Sequence, residues 1–184
     1  AGVRVALPRL IDAARALLGA WVVRRGEDGR LLRLRVVETE AYTVGDPACH
    51  AFRGRTRANA AMFGAPGTAY VHINYGIHHC LNAVTQPDGV AEAVLIRALE
   101  PWPGDAPAER TLWAGPGRLA RSLEIRKERF DHAPLTDPDA PLFLAAGDPP
   151  PSERIVVATR IGITKGAELP WRFYDAGSPL VSRR

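Results

Sequence analysis

Glu38 and Glu40 stand two residues apart in the run Arg35-Val-Val-Glu-Thr-Glu-Ala-Tyr42. In an extended chain, rising about 3.3 Å per residue, that spacing turns both carboxylates to one face, about 7 Å apart. Two such groups facing one site can do acid and base work on a glycosidic bond, one of them activating water. Two glutamates ending an edge strand in solvent would show the same pattern. Tyr42 follows Glu40 by two residues, and Tyr70, His72 and Asn74 alternate onto one face of a second extended run. Rings beside a carboxylate would suit a flat, π-rich ligand such as a nucleobase. Packing in an ordinary core is the competing reading of these rings, of Tyr70 in particular.

Tyr75 lies in Asn74-Tyr75-Gly76-Ile77, where a hairpin tip would normally be polar. An exposed apolar wedge on a basic chain suits insertion between DNA base steps. A partner-protein contact, or a tip packed back onto the core, would use the same residues. Cys49-His50 and His78-His79-Cys80 raise a zinc site. On a strand, His78 and Cys80 would point together while His79 would not, and the Cys49-His50 spacing falls outside the usual paired-cysteine patterns. Arg53, Arg55 and Arg57 alternate and could follow a phosphate backbone, or form a solvated surface run. No phosphate-binding loop, dinucleotide-type glycine fingerprint or nucleophile elbow is present.

The elements that must hold these residues follow from periodicity. Leu7, Leu10, Ile11, Ala14, Leu17 and Leu18 repeat at helical spacing and end at Gly19, a residue suited to closing a helix. Residues 20–25 and 31–40 read as two strands joined across Gly26-Glu-Asp-Gly29. Residues 41–67 lose periodicity except for a short helix near 59–63, and long irregular segments in small domains are often functional. A strand pair follows at 68–73 and 79–85, then a buried strand at 90–99 and a proline-marked loop at 101–108. Residues 116–130 read as one helix with Pro116 in its first turn. The proline-rich stretch 131–151 reads as loop or short extended pieces, and 155–163 as a closing strand.

The 184 residues are 46% hydrophobic and 24% charged, which suits one globular domain over residues 1–184 and argues against disorder. Two cysteines can make one bridge at most, so a disulfide-dependent scaffold is excluded and a reducing cytosol expected. No apolar run reaches the roughly 20 residues a membrane helix needs. Of the 24 basic residues only Lys127 and Lys165 are lysines; with a net charge of +4 this permits a nucleic-acid partner without requiring one.

Five blocks, in order, resemble the alkyladenine (3-methyladenine) DNA glycosylase family. They are the run from Arg35 to Tyr42, the run from Met62 through Tyr75 to Asn82, Leu95-Ile-Arg-Ala-Leu-Glu-Pro101, Gly115-Pro-Gly-Arg-Leu119, and Arg172-Phe-Tyr with Gly177-Ser-Pro179. The resemblance implies an α+β fold: a largely antiparallel, curved β-sheet with flanking helices and a protruding β-hairpin. It also implies a monofunctional glycosylase that excises alkylated or deaminated purines from damaged double-stranded DNA by base flipping. Glu40 matches the general base. Arg97 and the backbone carbonyl of Ile161 match positions that hold the attacking water. Tyr42, His50 and His72 match the base pocket, and Asn82 a residue that crowds the exocyclic amine of guanine. Tyr75 matches the side chain that replaces the flipped nucleotide. Glu38 is then a supporting residue.

The resemblance implies no cofactor and no metal, and a monomer working in the bacterial cytoplasm at the nucleoid, away from membranes. Two departures stand out. Thr56-Arg57-Ala58-Asn59 replaces the family's Thr-Pro-Arg-Asn, and His72 occupies a place that is Tyr in some relatives. A lesion-binding protein without cleavage and an RNA-binding module are the competing functions.

Overall fold

Strand β2 (Leu31–Tyr42) is the spine of the fold, a 12-residue strand whose residues 36–41 are buried on both faces. In the computed structural model, which describes residues 10–184, one edge of β2 pairs along most of its length with β5 (Ala93–Pro101). The other edge is shared. Its first half pairs with β1 (Trp21–Arg25) and its second half, at Glu38 to Glu40, with β8 (Arg172–Asp175). Adding β3 (Ala69–Asn74), β4 (His78–Val84), β6 (Leu142–Ala145) and β7 (Ile155–Ala158) gives an eight-stranded antiparallel sheet in the order β3-β4-β5-β2-β1-β6, with β7 and β8 branching from β2. Changing partners midway lets the sheet curl, as the expected α+β fold with a curved antiparallel sheet requires.

Leu10, Ala14 and Leu18 lie buried on or just beyond helix α1 (Leu10–Ala16), as their spacing predicts; Leu7 lies outside the described residues. Gly19 closes the turn at φ +87°, and a Cβ there would sit 2.1 Å from the Asp148 carbonyl oxygen. The main core forms where α1 and α3 (Pro116–Ser122) meet the sheet, around Leu34, Val36, Ile96, Leu119 and Phe173. A smaller cluster of Cys49, Met62, Tyr70 and Val84 lies beneath the irregular segment.

Several elements differ from expectation. The helix expected over 116–130 breaks after Ser122, because Glu124 takes φ +54° while Ile125 N–H bonds Ala120 O and Glu124 N–H bonds Arg121 O. That is a Schellman end with glutamate in the place glycine usually marks, so the sequence carries no stop signal. A second short helix, α4 (Lys127–Phe130), follows, and α2 (Arg110–Trp113) was not foreseen. The buried strand expected at 90–99 starts three residues later and ends two later, as β5. The strand expected at 155–163 stops at Ala158, and residues 159–163 leave the sheet. β8, a short strand inside a family motif block, also went unread as a strand.

Edge strand β3 is capped from α4. Lys127 Nζ donates to Val71 O at 2.8 Å and to Asp131 Oδ2 at 2.6 Å, while Asp131 Oδ1 accepts from Val71 N–H at 2.9 Å. His79 Nδ1 accepts the Lys127 N–H at 2.9 Å, joining the outer strands to the same helix. Among the described residues no helix is long and apolar enough to cross a membrane.

Left-handed backbone and a carbonyl inside bonding range of any Cβ together make position 19 intolerant. Gly19→Ala should lower unfolding stability by more than about 2 kcal/mol, read as a lower midpoint with an unchanged slope in urea.

Candidate active site

Glu40 is fully buried in the half of β2 that β8 covers. Its carboxylate has three partners: Tyr42 Oη donates to Oε2 at 2.7 Å, Ile161 N–H donates to Oε1 at 2.8 Å, and Arg97 Nη1 lies 3.4 Å from Oε1. Tyr42, Ile161 and Arg97 all line a cavity of about 140 Å³, with Glu40 directly behind that wall. Burial first, then the neighbouring carboxylate and its hydrogen bond, push the Tyr42 phenol far above its usual value, so it stays a donor.

Glu38 faces the same way, as its spacing predicts, and is also fully buried. It accepts from Arg172 Nη1 at 2.9 Å and from Ser182 N–H at 2.7 Å, and Arg97 Nε lies 3.6 Å away. The expectation that these glutamates end a solvated edge strand does not describe this fold. Arg97 reaches both carboxylates because pairing between β2 and β5 slips at Val36/Glu38 and again at Glu38/Thr39. A bulge of this kind re-aims a side chain that regular alternation would place elsewhere. The Ile161 group that meets Glu40 is its N–H, a different group from the carbonyl that the resemblance assigns to the attacking water.

Four residues of the cavity lining, Tyr70, His50, His72 and Asn82, are linked by side-chain contacts. Tyr70, His72 and Asn74 share a face of β3, as expected, and all three border the cavity, although Tyr70 is itself core and 3% exposed. Tyr70 Oη lies 3.1 Å from His50 Nδ1, and the His50 and His72 rings meet edge to face with centroids 4.1 Å apart. Asn82 Nδ2 donates to the carbonyls of Tyr70 at 3.0 Å and Cys80 at 3.3 Å, which fixes its amide. Asn82 Nδ2 also lies 3.2 Å from His72 Nδ1. Burial, with lesser contributions from His50 and Lys127, pushes His72 down to about 3, and burial lowers His50 as well. Both rings are therefore neutral at neutral pH.

The hairpin tip stands clear of the sheet. Tyr75 adopts φ +51° and Gly76 φ +72°, the two positive angles of a type I′ turn, and Tyr75 is 81% exposed. Ile77 beside it is 71% exposed. Of the readings open for Tyr75, a tip packed back onto the core is excluded. Between the hairpin and helices α3 and α4 runs a groove of about 810 Å³ bordered by Tyr75, Ile77, Arg118, Arg121, Arg126 and Arg129. Arg118 lies in a family block that assigned it no role, and the other three carried no signal in the sequence, because two helices and the link between them bring all four together.

Arg53, Arg55 and Arg57 are all exposed in the irregular segment, with Arg55 over the Phe63 ring. Asn59 holds that loop: its side chain accepts from Thr56 N–H at 2.7 Å and donates to the carbonyls of His50 and Gly54, each at 3.0 Å. The zinc arrangement does not form, since among the described residues no three His, Cys, Asp or Glu side chains are grouped to hold a metal ion. Cys49 and Cys80 are free and buried, and burial pushes both thiols up to about 11.

A histidine kept neutral in the folded state but ionising near 6.5 when unfolded stabilises the fold fully above pH 6.5, and that stability is lost as pH falls toward 3. Between pH 7.5 and 5, wild type should therefore lose about 1 to 2 kcal/mol more than His72→Phe, measured by urea unfolding at both pH values.

The family model described as Methylpurine-DNA glycosylase (MPG) matches residues 6–179. A protein of Synechococcus elongatus named "Putative 3-methyladenine DNA glycosylase" is 52% identical over 173 residues, covering 94% of this chain and 86% of its own. One of the same name from Carboxydothermus hydrogenoformans is 46% identical over 183 residues, 95% of this chain and 94% of its own. A third, from Salinibacter ruber, is 44% identical over 191 residues, 94% of this chain and 91% of its own. By this match over most of its length, the chain belongs to the methylpurine-DNA glycosylase family, hydrolases of N-glycosyl bonds in DNA.

Proposed function

We propose that the protein is a monofunctional glycosylase that flips a damaged purine out of duplex DNA into the cavity in front of Glu40 and hydrolyses its N-glycosidic bond. The observation that carries this reading is the position of Glu40: fully buried, hydrogen-bonded by Tyr42 Oη and Ile161 N–H and ion-paired with Arg97, three residues that themselves line the cavity. Glu40 is the general base for the attacking water, Arg97 offsets its buried charge, and Ile161 fixes the carboxylate's orientation.

Tyr75 enters the duplex and takes the place of the extruded nucleotide, while the four arginines of the adjoining groove meet phosphates. Tyr42, His50 and His72 form the base pocket, and Asn82 helps reject undamaged guanine by crowding its exocyclic amine, a penalty that 7-methylguanine offsets by being a far better leaving group. A purine alkylated at N3 or N7 carries a positive charge and leaves without being protonated, so one base suffices and no acid partner is needed. Two neutral imidazoles suit such a cation better than charged ones would. Deaminated purines such as hypoxanthine leave less readily and are the slower substrates. The protein works as a monomer on the nucleoid, in one domain and with no cofactor.

Incubation with duplexes carrying a single 7-methylguanine, 3-methyladenine or hypoxanthine should release free base and leave an alkali-labile abasic site. Glu40→Gln should slow single-turnover release at least 10²-fold, the scale of a positioned general base, with lesion binding retained. Tight lesion binding without release by wild type would favour the non-cleaving alternative and overturn the reading. Tyr75→Ala should weaken lesion-duplex affinity about tenfold or more in a fluorescence titration and leave the circular dichroism spectrum and the melting temperature unchanged, because the side chain touches solvent rather than core.

A further inference from the structure

Asp46 and Arg160 form a salt bridge with both side chains wholly out of solvent, and neither residue borders the cavity. Such a pair is costly to bury and persists only where further bonds complete it. Here the bonds go to three different pieces of the cavity wall. Arg160 Nη1 bonds Asp46 Oδ2 and donates to Ala41 O at 3.0 Å, on the strand that carries Glu40 and Tyr42. Arg160 Nη2 donates to Asp46 Oδ1 at 3.0 Å and to Gly166 O at 3.1 Å, closing the loop that leaves β7. The guanidinium carbon lies 4.7 Å from the centroid of the Tyr42 ring and 5.1 Å from that of Trp171, so the charged plane is packed against both rings. Asp46 Oδ1 also accepts Ala48 N–H at 3.0 Å, anchoring the start of the segment that brings Ala48 and His50 to the cavity.

The residue after Arg160 is Ile161, whose N–H holds Glu40 Oε1 at 2.8 Å. Residues 161–163 face the cavity but belong to no strand, so sheet pairing does not set their position. We propose that the Asp46–Arg160 pair is a positioning device for excision. It fixes the Tyr42 ring and the Ile161 amide against Glu40, and ties the segment bearing His50 to the same point. The inference rests on the glycosylase reading, with Arg160 acting through Tyr42 and Ile161 rather than on the substrate. Lysine at 160 would keep the charge but not the flat fork that bonds Ala41, Gly166 and both carboxylate oxygens at once.

The test uses Arg160→Lys and a second variant, Asp46→Asn with Arg160→Met, that removes both charges at nearly constant volume and so leaves no unpaired charge to unfold the chain. Single-turnover release from a 7-methylguanine duplex separates two effects: an unfolded fraction lowers the amplitude, whereas misplaced groups lower the rate constant. The expected result is a rate constant reduced about tenfold in Arg160→Lys and 10²-fold or more in the double variant. Amplitude per folded molecule and affinity for undamaged duplex should stay within twofold of wild type. Amide hydrogen exchange of the free protein should also quicken at 159–166 in both variants, with β2 and β5 unchanged. Rate constants within twofold of wild type, or unaltered exchange at 159–166, would overturn the proposal. Should wild type release no base at all, the glycosylase reading fails, and the exchange measurement still decides whether the pair holds the wall.

Discussion

Two carboxylates, Glu38 and Glu40, lie wholly inside the protein on one strand, and the architecture around them answers the cost of that burial. A buried carboxylate without partners would be prohibitive, so each needs a cation and donors supplied from elsewhere in the chain. Arg97 on β5 lies between the two, Arg172 on β8 takes Glu38, and the backbone amides of Ser182 and Ile161 complete the shells. These partners come from positions 57 to 144 residues distant in the chain. The fold must therefore bring β5, β8, the loop after β7 and the last residues to the same stretch of β2. The split edge of β2 achieves this: β1 pairs with the half that carries no buried carboxylate, and β8 arrives with Arg172 beside the half that does.

The bulges between β2 and β5 are part of the same solution. In a regular ladder a cross-strand arginine would face one carboxylate directly and reach the other, two residues along on the same face, only diagonally. Two register shifts around Glu38 leave Arg97 without a directly paired residue and aim it between both. Its Nε lies buried with no hydrogen-bond acceptor, so Glu38 offers it charge at 3.6 Å rather than a bond. Sharing one guanidinium between two acids thus leaves one donor incompletely satisfied.

What was legible in the sequence is what depends on local spacing. The shared face of Glu38 and Glu40, the common face of Tyr70, His72 and Asn74, the turn at Tyr75-Gly76 and the hairpin around it all follow from period-two alternation and one glycine. Helix α1 follows from period 3.6 and Gly19. What depends on distant partners was not legible. The Asp46–Arg160 pair spans 114 residues and neither member sits in a recognisable pattern. The break at Glu124 lacks the glycine that usually announces it, so α3 and α4 read as one helix. β8 is only four residues long, too short to show a period of its own, and it forms where β2 is left open. The resemblance to a family located Arg97, Asn82 and Ile161, which the spacing of residues does not distinguish from their neighbours.

The distribution of functional groups between rigid and irregular backbone follows a physical division. A buried charge tolerates little displacement, since its partners must stay within hydrogen-bond reach, and Glu40 accordingly lies mid-sheet with strands on either side. The cavity wall is not dictated by a ladder alone: His50, Ala48 and residues 161–163 come from irregular segments. Loops gain that freedom at the expense of definition. Asp46 and Arg160 restore definition at the one point where both loops pass the end of β2, just beyond the carboxylate they surround. The exposed tyrosine needs no such support beyond its own turn: two positive backbone angles project the ring outward, and the strands behind it set its distance from the cavity.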